Sequence, residues 1–322
     1  MSTSFKAEAG AERHCSNAVR TAKRDGHRRH KAGLTLIGWL FLLPGLAFYI
    51  VFVFWPIIQT AWYSFYSWNG VDASTWVGFD NFIRVFTDPV LRGSIAHSFY
   101  LIISFALIPV ALGIILASLI RDVRSKTFSS VAQVCMFLPR VIPGAAAGVA
   151  WTWMLAQDGI VNQMLKAMGL GSHATAWLGN QRTALNAVGV IGFWLQLGFC
   201  IVLLSAGIGS ISKSLYEAAS IDGAGWWSQL WHITLPGLRG QIAVCLTMTM
   251  VAALASFDVV FMATQGGPGY STMVPGVMVY RLAFTQNKVG LASALAVVLM
   301  ILVLLVVGPL QRLVQGKSEE AA

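Results

Sequence analysis

The chain has 322 residues, 56% hydrophobic and only 11% charged, with a mean hydropathy of +0.67. A water-soluble globule carries about 25% charged residues to clothe its surface, so this composition excludes a soluble enzyme and a disordered chain. The net charge of +9 does not indicate a nucleic-acid binder, because eight of the 22 Lys and Arg residues lie in the first 31 positions, a tail rather than a groove.

Residues 1–32 form that basic tail. It lacks the short charged region and small-residue cleavage pattern of a secretory leader, so it is expected to be a cytosolic tail leading into an anchor. Six apolar runs follow, at about residues 33–55, 99–120, 131–155, 185–204, 241–263 and 291–310. Each is near the roughly 20 residues that a helix needs to cross a hydrocarbon core of about 30 Å. Lipid offers no partner to backbone groups, so the runs must be helices or strands of a closed barrel. Barrel strands are about half this length and alternate polar with apolar; these runs do neither. The expected fold is all-α, a polytopic membrane protein of six transmembrane helices spanning residues 33–310, with a cytoplasmic C-tail at 311–322.

Six spans place both termini on one side. Fifteen Lys and Arg residues fall on that side and six on the other (Arg84, Arg92, Lys166, Arg182, Arg281 and Lys288). Basic residues favour the cytoplasm, so both termini are predicted inside. The tail contributes most of the asymmetry. On the outside, residues 56–98 carry Trp62, Tyr63, Phe65, Tyr66 and Trp68, an aromatic set suited to the membrane surface. Residues 156–184 combine polar turns with apolar patches, as short interfacial helices do.

The cytoplasmic loop 208–240 is longer than a connector between two spans requires. Residues 214–221 are good helix formers, with Ser212 or Ser214 available as a cap. Asp222-Gly223-Ala224-Gly225 supplies a turn in which glycine takes positive φ. Residues 226–234 are predicted to form a second short helix, ended before Pro236. Trp226, Trp227, Leu230 and Trp231 suit either a docking surface or the lipid interface.

The residues of this loop carry a family resemblance. Glu217-Ala218-Ala219, then Gly223 after three residues, Ile233 after nine more, and Leu235-Pro236 after one resemble the EAA loop of ABC-importer permeases. The stretch Tyr216-Glu217-Ala218-Ala219-Ser220-Ile221-Asp222-Gly223-Ala224 is similar to the branch that takes up sugars and glycerol-phosphate compounds. Val77-Gly78-Phe79-Asp80-Asn81-Phe82, Phe137-Leu138-Pro139 with Ile142-Pro143, Trp151 and Trp153, Phe257-Asp258, Gly266-Gly267-Pro268 with Ser271-Thr272, and Gly290-Leu291-Ala292-Ser293-Ala294 resemble further segments of that branch. The likeness covers roughly residues 35–310. Two departures are Phe79, where the branch has leucine, and the in-span charge Arg140.

The resemblance implies a bacterial inner-membrane permease subunit and no cofactor of its own. It also implies partners: a second permease subunit, two cytosolic ATP-binding subunits and an extracytoplasmic solute-binding protein. The helix of Glu217, Ala218 and Ala219 would dock on an ATP-binding subunit. The two alanines allow close approach, Glu217 meets a basic or hydrogen-bonding group, and Asp222, Gly223, Ile233, Leu235 and Pro236 shape the rest of the loop.

Four residues are candidates for the solute path. Arg140 and Asp258 are ionisable groups within apolar runs, where burial is costly and usually functional. Gln196 and Trp151, with Trp194, offer amide hydrogen bonds and stacking faces suited to sugars, although such residues also serve ordinary helix packing. For Asp258 a structural cap of the Gly266-Gly267 loop is the simpler account.

Motifs for chemistry are missing. There is no GxxxxGK[ST] phosphate loop, no HExxH and no close His/Cys cluster. Cys15, Cys135, Cys200 and Cys245 form no CxxC pair, and small buried apolar side chains are the simpler account. The rival class is a secondary transporter without an ATPase partner. It would favour internal repeats and several buried charges, and neither is evident.

Overall fold

The computed structural model describes residues 41–123 and 125–315. The basic tail, the start of the first apolar run and the end of the C-tail lie outside the described residues. Helices dominate, and the only strands among the described residues are the two-residue β1 (Tyr66–Ser67) and β2 (Thr75–Trp76), paired antiparallel. Four helices are long and apolar enough to cross a membrane. They are α1 (Phe41–Tyr63), α3 (Pro89–Asp122), α7 (Ala184–Ser210) and α13 (Val289–Gln315, of which Val289–Gln311 meets the criterion). Two bent pairs bring the number to six if each is counted as one span. One is α4 (Lys126–Val141) with α5 (Gly144–Met154); the other is α9 (Trp226–Gly237) with α10 (Arg239–Leu254). The short helices between them are α2 (Asp80–Thr87), α6 (Ile160–Ala167), α8 (Lys213–Ile221), α11 (Asp258–Thr264) and α12 (Pro275–Tyr280).

Two compact units divide the chain at Gln59. Most of α1 belongs to the first, where Phe48 stacks on Phe52 and Tyr49 meets Phe54 edge-on. The second unit starts at Thr60 and holds everything that follows.

Two of the expected spans are not single straight helices. The run 131–155 bends by 96° between α4 and α5. Proline disfavours helical φ/ψ in the residue before it, and Ile142, before Pro143, is extended at φ −73°, ψ 127°. The run 241–263 ends as helix at Leu254 and resumes at Asp258, across Ala255, Ser256 and Phe257. Other runs are longer than expected. Helix α3 begins ten residues before position 99, because the carboxylate of Asp88 accepts from Val90 N–H at 2.8 Å and Leu91 N–H at 3.3 Å, with Pro89 opening the first turn. This is a strong start signal.

Three of the four π-turns among the described residues, at Ile50–Phe54, Ile103–Leu107 and Leu230–Thr234, each end two residues before a proline: Pro56, Pro109 and Pro236; the fourth, Arg281–Thr285, does not. Proline cannot donate to the carbonyl four residues back, and its ring crowds that oxygen. The widened turn relieves this. The residue before each proline (Trp55, Ile108, Leu235) donates instead to the carbonyl five residues back. Helix α9 therefore runs through Pro236 to Gly237 and does not stop before it, which corrects the expected end.

Helices of the second unit meet through small residues, as bilayer packing favours. A Cβ on Gly192 of α7 would overlap the ring of Phe105 on α3, and one on Gly198 would overlap the Met136 carbonyl of α4. One buried cluster gathers Leu101, Phe105, Val188, Ile191, Val260, Val277 and Leu295. A second, of Val110, Ala117, Cys200, Leu204, Ile208, Leu238 and Cys245, lies beneath the 208–240 loop. The aromatic segment between α1 and α3 folds as a short hairpin followed by α2. Phe65 stacks on Trp76 at 5.6 Å, and the buried Asn81 donates to the Ser64 and Tyr66 carbonyls at 2.9 Å.

Candidate functional site

The loop 208–240 folds into two helices joined by a sharp turn. Ser212 stands at the N-cap of α8, but its hydroxyl pairs with Ser214 at 2.7 Å and caps no backbone N–H. Glu217 and Ala218 are exposed, and Ala219 is half-buried. Glu217 makes no side-chain hydrogen bond or ion pair with another described residue. The helix ends as its composition suggests. Gly223 takes φ +79°, its N–H donates to the Ser220 carbonyl at 3.2 Å, and Ala224 N–H donates to the Ala219 carbonyl at 2.8 Å. These two bonds make a Schellman motif, which glycine completes without strain. Asp222 is the exposed residue just before the turn.

Helix α9 folds back beside α8. Leu230 and Thr234 face inward, Ile233 and Leu235 are half-buried, and Pro236 is exposed. Trp227 and Trp231 remain 62% and 63% exposed. A polar cluster built on Tyr216, Gln229, Thr234 and Arg121 holds the two helices together. The Tyr216 hydroxyl lies 3.1 Å from Thr234 Oγ1. Gln229 Nε2 donates to Ser220 Oγ at 3.0 Å and to the Ala224 carbonyl at 3.1 Å. Arg121, from the end of α3, covers the Tyr216 ring at 4.0 Å and reaches Gln229 Oε1 at 3.4 Å. The available sequence signal for Arg121 was a basic residue in a helix's last turn, but its target lies about a hundred residues away.

The solute-path candidates gather in pairs around the breaks in the helices. Arg140 Nη1 donates to Gln196 Oε1 at 3.1 Å, and its guanidinium stands 5.4 Å from the Phe199 ring. Gln196 is buried at 5% exposure, whereas Arg140 is exposed. Trp151 meets Trp194 edge-on at 5.7 Å. Asp258 is exposed at the start of α11 and lies against Gly144, the first residue of α5; a Cβ there would be 3.4 Å from its own Cβ. Arg140 and Asp258 thus flank the same Pro143 bend without forming an ion pair among the described residues. The Gly266-Gly267 loop is held by Thr264 and Thr272 instead of Asp258. The two hydroxyls lie 2.7 Å apart, Thr272 donates to the Gly267 carbonyl at 2.7 Å, and Gly266 N–H donates to Thr264 Oγ1 at 3.3 Å. No group of three or more His, Cys, Asp or Glu residues among the described residues is placed to hold a metal ion.

Comparison with known proteins bears on both regions. The family described as binding-protein-dependent transport system inner membrane component matches residues 109–318. The multiple sugar-binding transport system permease protein MsmF of Streptococcus mutans is 31% identical over 268 residues, covering 83% of this chain and 91% of that protein. The crystal structure of a bacterial ABC transporter involved in the import of the acidic polysaccharide alginate superposes with TM-score 0.75 at 25% identity, over 87% of this chain and 95% of that one. The bacterial alginate ABC transporter in complex with an alginate pentasaccharide-bound periplasmic protein gives TM-score 0.73 at 25% identity, over 85% and 92% of the two chains.

Proposed function

The chain belongs to the binding-protein-dependent transport system inner membrane component family, and from that premise we propose that it forms one half of the translocation path of an ATP-driven importer for a sugar or related solute. It is an ABC-importer permease, a membrane transporter subunit. Residues 213–237 are its coupling surface for a cytosolic ATP-binding subunit. A second permease subunit completes the path, two ATP-binding subunits drive it, and an extracytoplasmic solute-binding protein delivers the solute. Hydrolysis of ATP belongs to the separate subunits. Both termini face the cytoplasm, on the count of basic residues.

The observation that carries this reading is the form of the loop. Two short helices are pinned into one body, and that body presents an exposed carboxylate, Glu217, unpaired among the described residues and beside the small Ala218. Small side chains let a partner approach closely. A carboxylate without a partner among the described residues can pair with a partner subunit's cation or donor. Closure of the ATP-binding subunits would then move helices as rigid bodies.

The path is proposed to run by the α4–α5 bend and the α10–α11 break, with Arg140, Gln196, Trp151 and Asp258 along it. Interrupted helices inside a bundle supply polar backbone and side-chain groups at membrane depth. The solute's carbohydrate character is carried over from the sugar- and alginate-transporting relatives. A tagged chain expressed with its partners tests the reading: it should bring down an ATP-binding subunit, and Glu217→Lys should release that subunit while membrane insertion persists. Isolation of the chain without an ATP-binding subunit, together with solute uptake into ATP-free vesicles, would overturn it in favour of a secondary transporter.

A further inference from the structure

The chain connects the 213–237 loop directly to α7 and α10 alone. Helix α3 lies far away in sequence, yet Arg121 in its last turn meets the loop. Nε and Nη2 of Arg121 both lie 2.7 Å from Asp122 Oδ1, which sets the plane of the guanidinium. One face of that plane covers Tyr216 of α8 at 4.0 Å, and Nη2 reaches Gln229 of α9 at 3.4 Å. Gln229 continues to Ser220 and to the Ala224 carbonyl in the turn, and Tyr216 continues to Thr234. One cation therefore touches both helices of the loop and, through Gln229, the turn between them.

The Arg121 side chain is 19% exposed, and its Nη1 is buried without a hydrogen-bond partner. An apolar residue would fill such a site without leaving a donor unpaired, so filling space does not account for the arginine. Lysine could not replace it either. A planar fork that donates along its edges while stacking on a ring is particular to guanidinium.

The other end of α3 is equally tied. His97 Nδ1 lies 2.9 Å from the Met273 carbonyl, in the loop after α11, and the Tyr100 hydroxyl donates to Asn186 Oδ1 at 2.7 Å. Helix α3 thus runs unbroken from the 213–237 loop to the loops at the opposite end of the bundle, with a π-turn at Ile103–Leu107 midway.

We propose that Arg121 is a positioning residue of energy coupling: it locks the 213–237 loop to α3, so that movement of the loop reaches the opposite end of the bundle through a helix that the loop does not adjoin in sequence. The proposal rests on the loop being the coupling surface. The electrostatic and aromatic contacts of the guanidinium make the joint stiff, and the packing of α3 on α7 carries the motion onward.

The test uses the complete complex, with the native cysteines replaced and spin labels at Leu119→Cys on α3 and Ser228→Cys on α9. Distances are measured nucleotide-free and after trapping with ATP and vanadate. With Arg121 present, the distance keeps one narrow distribution in both states. In Arg121→Gln the ATP-binding subunits still co-purify, but the distribution broadens and shifts on trapping. Arg121→Lys, which keeps the charge and loses the fork, loosens it as well. Tyr216→Leu, which removes the ring but keeps an apolar side chain there, gives the same loosening. A distance that stays narrow and fixed in Arg121→Gln and Tyr216→Leu overturns the proposal. A parent complex that holds no ATP-binding subunit overturns the functional reading beneath it, and the proposal falls with it.

Discussion

The 208–240 loop and the helix-break region are built on opposite plans. In the loop, residues near one another in sequence make most of the structure: α8, a glycine turn and α9 close on themselves within twenty-five residues, and Glu217 and Ala218 are exposed. Around the Pro143 bend, partners come from distant helices: Arg140 with Gln196, Trp151 with Trp194, Asp258 with Gly144. The first arrangement makes a handle that a partner can grip without disturbing the core. The second makes a polar seam whose geometry depends on how every helix around it packs. Coupling and solute selection are therefore expected to be separable by mutation.

Charge reversal at the handle should have the largest effect. Glu217→Lys takes the carboxylate away from the partner's cation or donor and sets a positive charge in its place, a change worth about 2–5 kcal/mol for a buried pair at an interface. Retention of the ATP-binding subunit should collapse while the melting temperature of the purified permease stays unchanged. A lowered melting temperature would break the distinction between handle and core.

A change in the seam's scaffold should do the reverse. Gly198→Leu drives a side chain into the Met136 carbonyl, at a cost of about 1–3 kcal/mol or more for overpacking. Folded yield in detergent should fall, and the ATP-binding subunit should still be bound by whatever folds.

The turn should give a smaller effect. Gly223→Val requires a β-branched residue at φ +79°, costing roughly 1–2 kcal/mol. The space around Gly223 is open, so the cost is backbone strain. Co-purification should weaken without being lost, and Gly223→Asn should restore part of it.

Gln196→Ala should be mildest for stability, because it removes one hydrogen bond whose partner, Arg140, is exposed. Its readout is solute affinity: half-saturation of uptake should move while the ATP-binding subunit is fully retained. Uptake unchanged in Gln196→Ala, Arg140→Gln and Asp258→Asn together would remove the seam from the path.

Legibility in the sequence follows the same division. The loop could be read because its logic is local: small residues for approach, one glycine for a positive φ, and fixed spacing between them. The Pro143 bend was likewise written in Ile142-Pro143, yet a hydropathy run passes over it. The start of α3 was written too, in Asp88-Pro89, although apolarity alone places that start ten residues late. The break at Ala255, Ser256 and Phe257 has neither proline nor glycine, so the segment itself carries no signal for it. Pro236 argued for a helix end that the π-turn at Leu230–Thr234 avoids. Arg121 carried the least signal, because its meaning lies in residues some hundred positions further on.

The central claim is that α8 grips the ATP-binding subunit. Photo-crosslinking from Ala218 tests it most directly, with Val71 on the opposite hairpin as the reference position. In the assembled complex, a crosslinker at Ala218 should capture the ATP-binding subunit in high yield, and one at Val71 should capture none of it. No adduct from Ala218 in a complex that contains the ATP-binding subunit would contradict the claim.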